Sequence, residues 1–451
     1  MELFGTAGIR GDVGDRVTPE LALQVGQAAG RDGEAFVLGY DGRVSSPALA
    51  DAVAAGLEST GTRVTRLGAV PTPALAFASC GRRGVMVTAS HNPPTDNGLK
   101  LFVDGQEYDG EAEGRIEQRV ADAVGPAAWY DWGDTTTADV LPEYRAAVAD
   151  YAASFGATPT DLTVAVDCGN GMSGVATPQV LRALGADVVA TEANVDGHFP
   201  ARESKPTPET LANFRSFVTA TDADFGFGHD GDADRIVLVN GDGDVVHEDT
   251  VVAMLAAHYT RAADSSDPVV VTTPNASGRI DERVAAAGGR VERVHLGALH
   301  EGVARERAAG GPETEVVFAA EPWKHIHLPF GGWIDGVASA AVLTQLFASE
   351  PLADRRGEIS ERPYRKVSVE CPDERKPAVM ETVGETLPDA FPAASVSTEY
   401  GVRLTFPDDS WTLVRPSGTE PYVRIYAESD DVDSLVDSVR EVVESAVAAT
   451  E

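Results

Sequence analysis

The sequence predicts an α/β protein with three related α/β units, built on mixed, largely parallel sheets, and a smaller α+β unit at the C-terminus. Three observations predict this. Strand-like apolar runs alternate with helical patterns, as βαβ units require. The alternation recurs three times with a similar rhythm. After about residue 363 the rhythm changes, and several strands cluster between two helical stretches.

The first pass is AFVLGYD at 35–41, then SPALADAVAAGLESTG, then RVTRLG. The second is LTVAVD at 162–167, then TPQVLRALGA, then DVVATEA. The third is PVVVTT at 268–273, then SGRIDERVAAAGG, then RVERVHLG. The tail reads YRKVSVEC, a helical pattern, VSTEYGVRLTFPDDSWTLVRPSG, VRIYAES and finally DVDSLVDSVREVVESAV. The divisions expected are 1–153, 154–252, 253–362 and 363–451.

Bulk properties exclude several classes. The chain has 451 residues, 43% of them hydrophobic, enough for a large core. No apolar run approaches the ~18 residues of a membrane span, and MELFGTAGIR has no signal-peptide character. Cys80, Cys168 and Cys371 have no zinc-site spacing and suit a reducing cytoplasm. The formal net charge of -35 repels a phosphate backbone, so nucleic acid is excluded as a partner. Only Lys100, Lys205, Lys324, Lys366 and Lys376 are lysines. An acidic, lysine-poor surface over an ordinary core predicts a halophilic protein adapted to concentrated salt, where screening removes self-repulsion. A monomer or homodimer is expected.

Four stretches carry chemistry. In VMVTASHNPPTDNGLKLF (85–102) a strand empties into Ser90 and His91, followed by two prolines that fix the backbone. A surface turn is the plain reading, and a nucleophile held still is the sharper one. In FGFGHDGDADRIVLV (225–239) Asp230, Asp232 and Asp234 alternate with small residues. Carboxylates so close repel unless a cation sits among them, and Mg²⁺ suits an all-oxygen set. An EF-hand fails, because Arg235 stands at the required glycine and Gly241 at the required glutamate. In LVRPSGTEPYVRIYAES (413–429) Arg415, Ser417, Gly418, Thr419 and Arg424 supply two guanidiniums, two hydroxyls and backbone amides, an inventory that suits phosphate. The alternative is a polar hairpin in which Glu420 pairs Arg424. FGTAGIRG (4–11) is a further glycine-rich loop presenting Arg10.

A competing signal comes from CGNGMSG. Gly169, Gly171 and Gly174 match G-x-G-x-x-G after a strand, with Glu192 on the next strand. A NAD-dependent dehydrogenase is therefore a rival reading, against a tight turn shaped by Asp167 and Asn170. No Gly-Lys pair exists for a Walker loop.

In their order along the whole chain, FGTAGIRG, TASHNP, DGDADR and RPSGTEPYVR resemble the motifs of the α-D-phosphohexomutases: phosphoglucomutase, phosphomannomutase and phosphoglucosamine mutase. The resemblance implies four domains around one central cleft, an isomerase that acts as an intramolecular phosphotransferase, and no nucleotide at the glycine loop. It implies that Ser90 carries the phosphoryl group, held by the prolines and the strand. Asp230, Asp232 and Asp234 would bind Mg²⁺ with a phosphoserine oxygen. Arg10, His91, Lys100 and His325 become candidates for proton transfer. Arg235, Glu321, Arg415, Ser417, Gly418, Thr419 and Arg424 would bind the phosphosugar. A hexose 1,6-bisphosphate would serve as activator. The family's sugar loop, Gly-Glu-x-Ser-Gly-His, reads AEPWKH at 320–325 here. Glu321 and His325 match, while Trp323 and Lys324 do not. Trp323 could stack on a sugar or pack at a domain interface, and Lys324 could meet a phosphate. Glucose or mannose phosphate is the first expectation, then glucosamine phosphate, then a pentose phosphate.

Overall fold

A computed structural model describes residues 3–5, 8–418 and 420–450. Three sheets share one plan. In the first, the parallel strands Ala35–Tyr40, Arg63–Ala69 and Arg83–Val87 are followed by Asp96–Val103, which runs antiparallel to Arg83–Val87. In the second, Thr163–Asp167, Asp187–Thr191 and Phe225–His229 are parallel, and Ile236–Asn240 returns antiparallel. In the third, Asp267–Thr272, Arg290–Arg293 and Thr314–Glu321 are parallel, and Lys324–Ile326 returns antiparallel. Numbering the strands within each unit in chain order, the spatial order is 4-3-1-2 every time. Ile9–Asp12 and Thr135–Thr137 extend the first sheet at its two edges.

This repetition positions the site. In each unit the third strand is a short buried run that ends in a loop before the antiparallel return. Those loops carry Ser90, the three aspartates, and the Glu321–Lys324 turn. They lie beyond the carboxyl end of a parallel strand, where α/β sheets collect their ligands.

The first three units share a core. The helix Gly336–Ser349 is buried from Gly336 to Phe347 and packs among residues of all three. Its apolar sequence, GVASAAVLTQLF, has no polar face because it has no solvent side. Asp335 caps it by accepting from Ala338 N at 2.8 Å.

The C-terminal sheet is antiparallel throughout, in the order Tyr364–Glu370, Tyr422–Glu428, Trp411–Pro416, Val402–Thr405, Ser395–Ser397. One face packs on the helices Lys376–Ala390 and Val432–Ala449 as a separate core. Its junction with the third unit is polar and buried. Glu428 accepts from Ser277 Oγ at 2.6 and 2.7 Å, Arg279 Nη2 at 3.0 Å and Trp411 Nε1 at 2.8 Å. Among the described residues no helix is long and apolar enough to cross a membrane.

Candidate active site

Ser90 sits at the apex of its loop, fully buried, with φ at +50°. A left-handed serine is held by its surroundings, because such a backbone costs about 1–3 kcal/mol. Arg43 supplies most of the restraint. Its Nη2 donates to Ser90 O and Asn92 O, each at 2.8 Å, and its Nη1 to Pro93 O at 2.5 Å and Asp96 O at 2.9 Å. Its Nε pairs with Asp41 at 3.0 Å, and both side chains are buried. Thr88 Oγ1 accepts from Ser90 N at 2.8 Å, and Ser204 Oγ donates to Ser90 O at 2.9 Å. Pro93 and Pro94 are exposed. The nucleophile loop is thus pinned mainly by a buried guanidinium, and the prolines contribute backbone stiffness only.

Ser90 Oγ donates to Asp230 Oδ2 at 2.8 Å and lies 3.2 Å from His91 Nδ1. Burial, with Arg235 and Arg10 nearby, pushes the His91 pKa down to about 2, so its ring is neutral. Asp230, Asp232 and Asp234 are all buried, and a carboxylate oxygen from each lies within 4.8 Å of the others. Asp232 Oδ1 and Asp234 Oδ1 have no hydrogen-bond partner. Buried orphaned carboxylate oxygens are costly, so this donor set fits one hard divalent cation. Burial and the other two aspartates push the Asp230 pKa well up. For Asp234 burial acts the same way, but Lys100 and Arg235 outweigh it and hold the carboxyl below its usual range. Lys100 Nζ is 3.0 Å from Asp234 and 3.3 Å from Glu107. Gly231 permits the close approach of the two loops. A Cβ there would stand 2.8 Å from Ser90 O and 2.7 Å from Ser204 Oγ.

Arg10 lies on the strand Ile9–Asp12, opposite Gly98, and its charge is felt at His91 and Lys100. Arg235 Nε is 3.8 Å from both Asp230 and Asp234. Lys324 reaches the same centre, bridged through its backbone to Arg235, and its charge lowers the pKa of Asp234 and Glu107. Its Nζ is 3.4 Å from Glu321 Oε2, and Glu321 Oε1 also accepts from Gly297 N.

One expectation changes here. His325 does not join these groups. In the strand Lys324–Ile326 side chains alternate, so when Lys324 faces the cleft His325 faces the core. It is buried there, with Nδ1 3.0 Å from Ser339 Oγ and a pKa pushed by burial down to about 3. Trp323 is half-buried. With φ at +66° it turns onto the apolar cluster of Leu211, Phe214 and Val237 in the second unit, which is the packing alternative.

The C-terminal loop is part formed. Arg415 Nη2 donates to Tyr426 OH at 2.9 Å. Arg424 pairs with Glu420 and Ser368, as the hairpin alternative anticipates. Ser417 N donates to Tyr422 O at 2.9 Å, Gly418 has open space around it, and Thr419 lies outside the described residues. Lys376 Nζ braces the loop from below, donating to Ser417 O and Glu420 O, each at 2.6 Å. Sequence reading missed Arg43, Ser204, Thr88 and Lys376. The scarcity of lysine was the one signal pointing to any of them.

The glycine fingerprint does not offer its amides to a dinucleotide. Its amides are already used, Asn170 N on Glu192 O and Met172 N on Gly231 O, each at 2.9 Å. A Cβ on Gly171 would lie 2.8 Å from Gly231 O. The turn exists to seat the aspartate loop, so the dehydrogenase reading falls.

Comparison with known proteins agrees with this geometry. Residues 1–124 match the family described as phosphoglucomutase/phosphomannomutase, alpha/beta/alpha domain I, residues 142–243 its domain II, and residues 367–445 its C-terminal domain. The chain belongs to this family. It is an enzyme of the phosphomutase class, an isomerase that transfers phosphoryl groups. It is 41% identical over 438 residues to a phosphopentomutase of Thermococcus kodakarensis, covering 95% of this chain and 94% of that one. It is 40% identical to a probable phosphoglucosamine mutase of Methanopyrus kandleri, covering 98% of each. A crystal structure of a phosphoglucomutase/phosphomannomutase family protein from Burkholderia thailandensis superposes with TM-score 0.86 at 26% identity, covering 98% of this chain and 97% of that one.

Proposed function

We propose that this protein is a Mg²⁺-dependent phosphosugar mutase, exchanging a phosphoryl group between the 1-hydroxyl and the terminal hydroxyl of an aldose through phosphoserine at Ser90. The observation that carries the reading is a buried, restrained serine hydroxyl 2.8 Å from a carboxylate of a cation-binding triad. Asp230, Asp232 and Asp234 would hold the metal, which supplies charge neutralisation at the transferred group. The chain's own residues do the rest. Arg43 and Thr88 fix the direction of the Ser90 oxygen. His91 lies beside the Ser90 oxygen as a neutral ring, and Arg10, Lys100 and Lys324 ring the centre with positive charge. Arg415, Arg424 and Ser417 hold the substrate's other phosphate. Phosphoryl transfer is mostly positioning and charge stabilisation, which this arrangement supplies. Serine gives its phosphoryl group to a sugar monophosphate, the resulting bisphosphate turns round, and its other phosphate returns to Ser90. An added sugar bisphosphate would activate dephosphorylated enzyme.

For the sugar, glucose or mannose phosphate is the first reading. The hairpin at 320–325 favours a second. It lacks the family's serine, its tryptophan leans on the second unit's apolar cluster, and Glu321 is already engaged by Gly297 N and Lys324. A sugar with fewer hydroxyls to hold, a pentose phosphate, fits it better, and relatives are named for a pentose and for glucosamine phosphate. The test is ³¹P NMR in Mg²⁺ and molar KCl with the 1-phosphates of glucose, mannose, glucosamine and ribose, each with a trace of its bisphosphate. A new 5- or 6-phosphate resonance that vanishes in Ser90→Ala is expected. Turnover persisting in Ser90→Ala would refute the mechanism.

A further inference from the structure

The stretch Val70-Pro71-Thr72-Pro73 lies in none of the motif loops, yet it reaches the aspartate loop. Thr72 belongs to the first unit, buried at the start of the helix Thr72–Ala78. Its hydroxyl donates to Asp232 Oδ2 at 2.6 Å, and its N donates to Asp232 O at 3.0 Å. Asp232 is 160 residues away and belongs to the second unit. One residue therefore grips both the main chain and the side chain of a candidate metal ligand. Pro71 and Pro73 on either side stiffen the backbone that presents it.

The two carboxylate oxygens of Asp232 differ. Oδ2 takes the Thr72 proton, while Oδ1 is buried with no hydrogen-bond partner. A hydroxyl donating to an ionised carboxylate lies about 2.5–2.7 Å away, and the Thr72 contact at 2.6 Å has that length. Thr88 does not duplicate it. A threonine hydroxyl has one proton, and Thr88 has two carboxylate oxygens in reach, Asp41 Oδ2 at 2.7 Å and Asp232 Oδ2 at 3.2 Å. The shorter contact takes the proton, so Thr72 alone holds Asp232 Oδ2 firmly. Asp230, Asp232 and Asp234 each offer an oxygen within 4.8 Å of the others, and Oδ1 is the Asp232 oxygen with no other use.

We propose that Thr72 is a positioning residue for the metal: by holding Asp232 Oδ2 from the neighbouring unit, its hydroxyl fixes the carboxylate so that Oδ1 serves the cation. This rests on the metal reading above. A carboxylate without that tether can rotate about its own bond, and the cation must then pay to order it. Groups that hydrogen-bond a metal ligand from behind set its orientation, and losing one costs roughly 10–100-fold in metal affinity.

The test is Mg²⁺ calorimetry on the full-length enzyme in molar KCl, freed of divalent ions and dephosphorylated at Ser90. Wild type is compared with Thr72→Val, which keeps the shape and removes the donor, and with Thr72→Ser, which keeps the donor. Thr72→Val should bind Mg²⁺ at least about tenfold more weakly, and Thr72→Ser should bind as wild type does. Equal affinity in wild type and Thr72→Val would overturn the proposal, since a hydroxyl that only braces the two units would change stability and leave affinity alone. Equal losses in the valine and serine variants would also overturn it, by tracing the effect to packing. If Thr72→Val does not fold, Thr72→Ala, which adds no atoms, is read in its place by the same criterion. A wild type that binds neither Mg²⁺ nor Mn²⁺ brings down the metal reading and this proposal together. A wild type that binds leaves the metal reading standing, whatever the Thr72 variants do.

Discussion

Arg43→Met tests the account of how the nucleophile is held. The substitution keeps the length of the side chain and removes a guanidinium that pairs with Asp41 and donates to four loop carbonyls. Breaking a buried ion pair by deleting one partner costs about 3–5 kcal/mol, because the remaining charge is buried unpaired. Those hydrogen bonds are part of the same loss and are not added again. At 1.4 kcal/mol per decade the cost amounts to a factor between about 10² and 10⁴ in the local opening equilibrium. Hydrogen exchange of peptides spanning 83–103 should show that loss of protection, while peptides of the C-terminal sheet stay as in wild type. Ser90 would also be free to leave φ +50°, and a displacement of about 1 Å at a reacting atom lowers turnover on the order of 10²-fold. Unchanged protection at 83–103, or wild-type turnover, would show that the prolines suffice and that Arg43 is incidental.

Other predictions concern the metal, the loops, pH and salt. Mg²⁺ at a hundred times its dissociation constant should stabilise the protein by about 2.7 kcal/mol in urea unfolding, and Asp232→Ala should lose that increment; an equal gain in both would move the metal elsewhere. Gly231→Ala should cost about 1–3 kcal/mol and most of the turnover, since its Cβ would press on Ser90 O and Ser204 Oγ; a variant indistinguishable from wild type in both would contradict the close approach. Burial, with Glu248 nearby, raises the Asp249 pKa to about 8 in the folded chain. The folded state therefore holds a proton that the unfolded state releases above about pH 4, and wild type loses stability as pH rises toward 8. Asp249→Asn should escape that loss and gain on wild type by up to about 1.4 kcal/mol per pH unit between pH 5 and 8; parallel urea midpoints across that range would refute it. The acidic surface should make the protein more stable in molar KCl than in dilute buffer, and the reverse order would end the halophilic reading.

Local pattern alone determined much of this protein. Strand–helix alternation marks the three α/β units, and the changed rhythm after residue 363 marks the antiparallel C-terminal sheet. The Asp230-Asp232-Asp234 spacing with small residues between is enough to bring carboxylates together, because the chemistry lies within one loop. Ser90 at the lip of a buried strand is legible for the same reason. Tertiary structure decided what depends on distant parts of the chain. Arg43 lies 47 residues from the Ser90 carbonyl it holds, and Ser204 lies 114 residues away. Neither separation leaves a mark in local sequence. Lys324 and His325 show the limit most clearly. A motif match selected the histidine, but the two-residue period of the returning strand sends one side chain to the cleft and its neighbour to the core. Which one faces the cleft is settled by the pairing of that hairpin with the aspartate loop, through Ile236 N and Trp323 O at 3.2 Å. Trp323 and the glycine fingerprint follow the same rule. Their residue types suit a ligand, but the glycine loop spends its amides within its own unit and Trp323 packs on the second unit's apolar cluster.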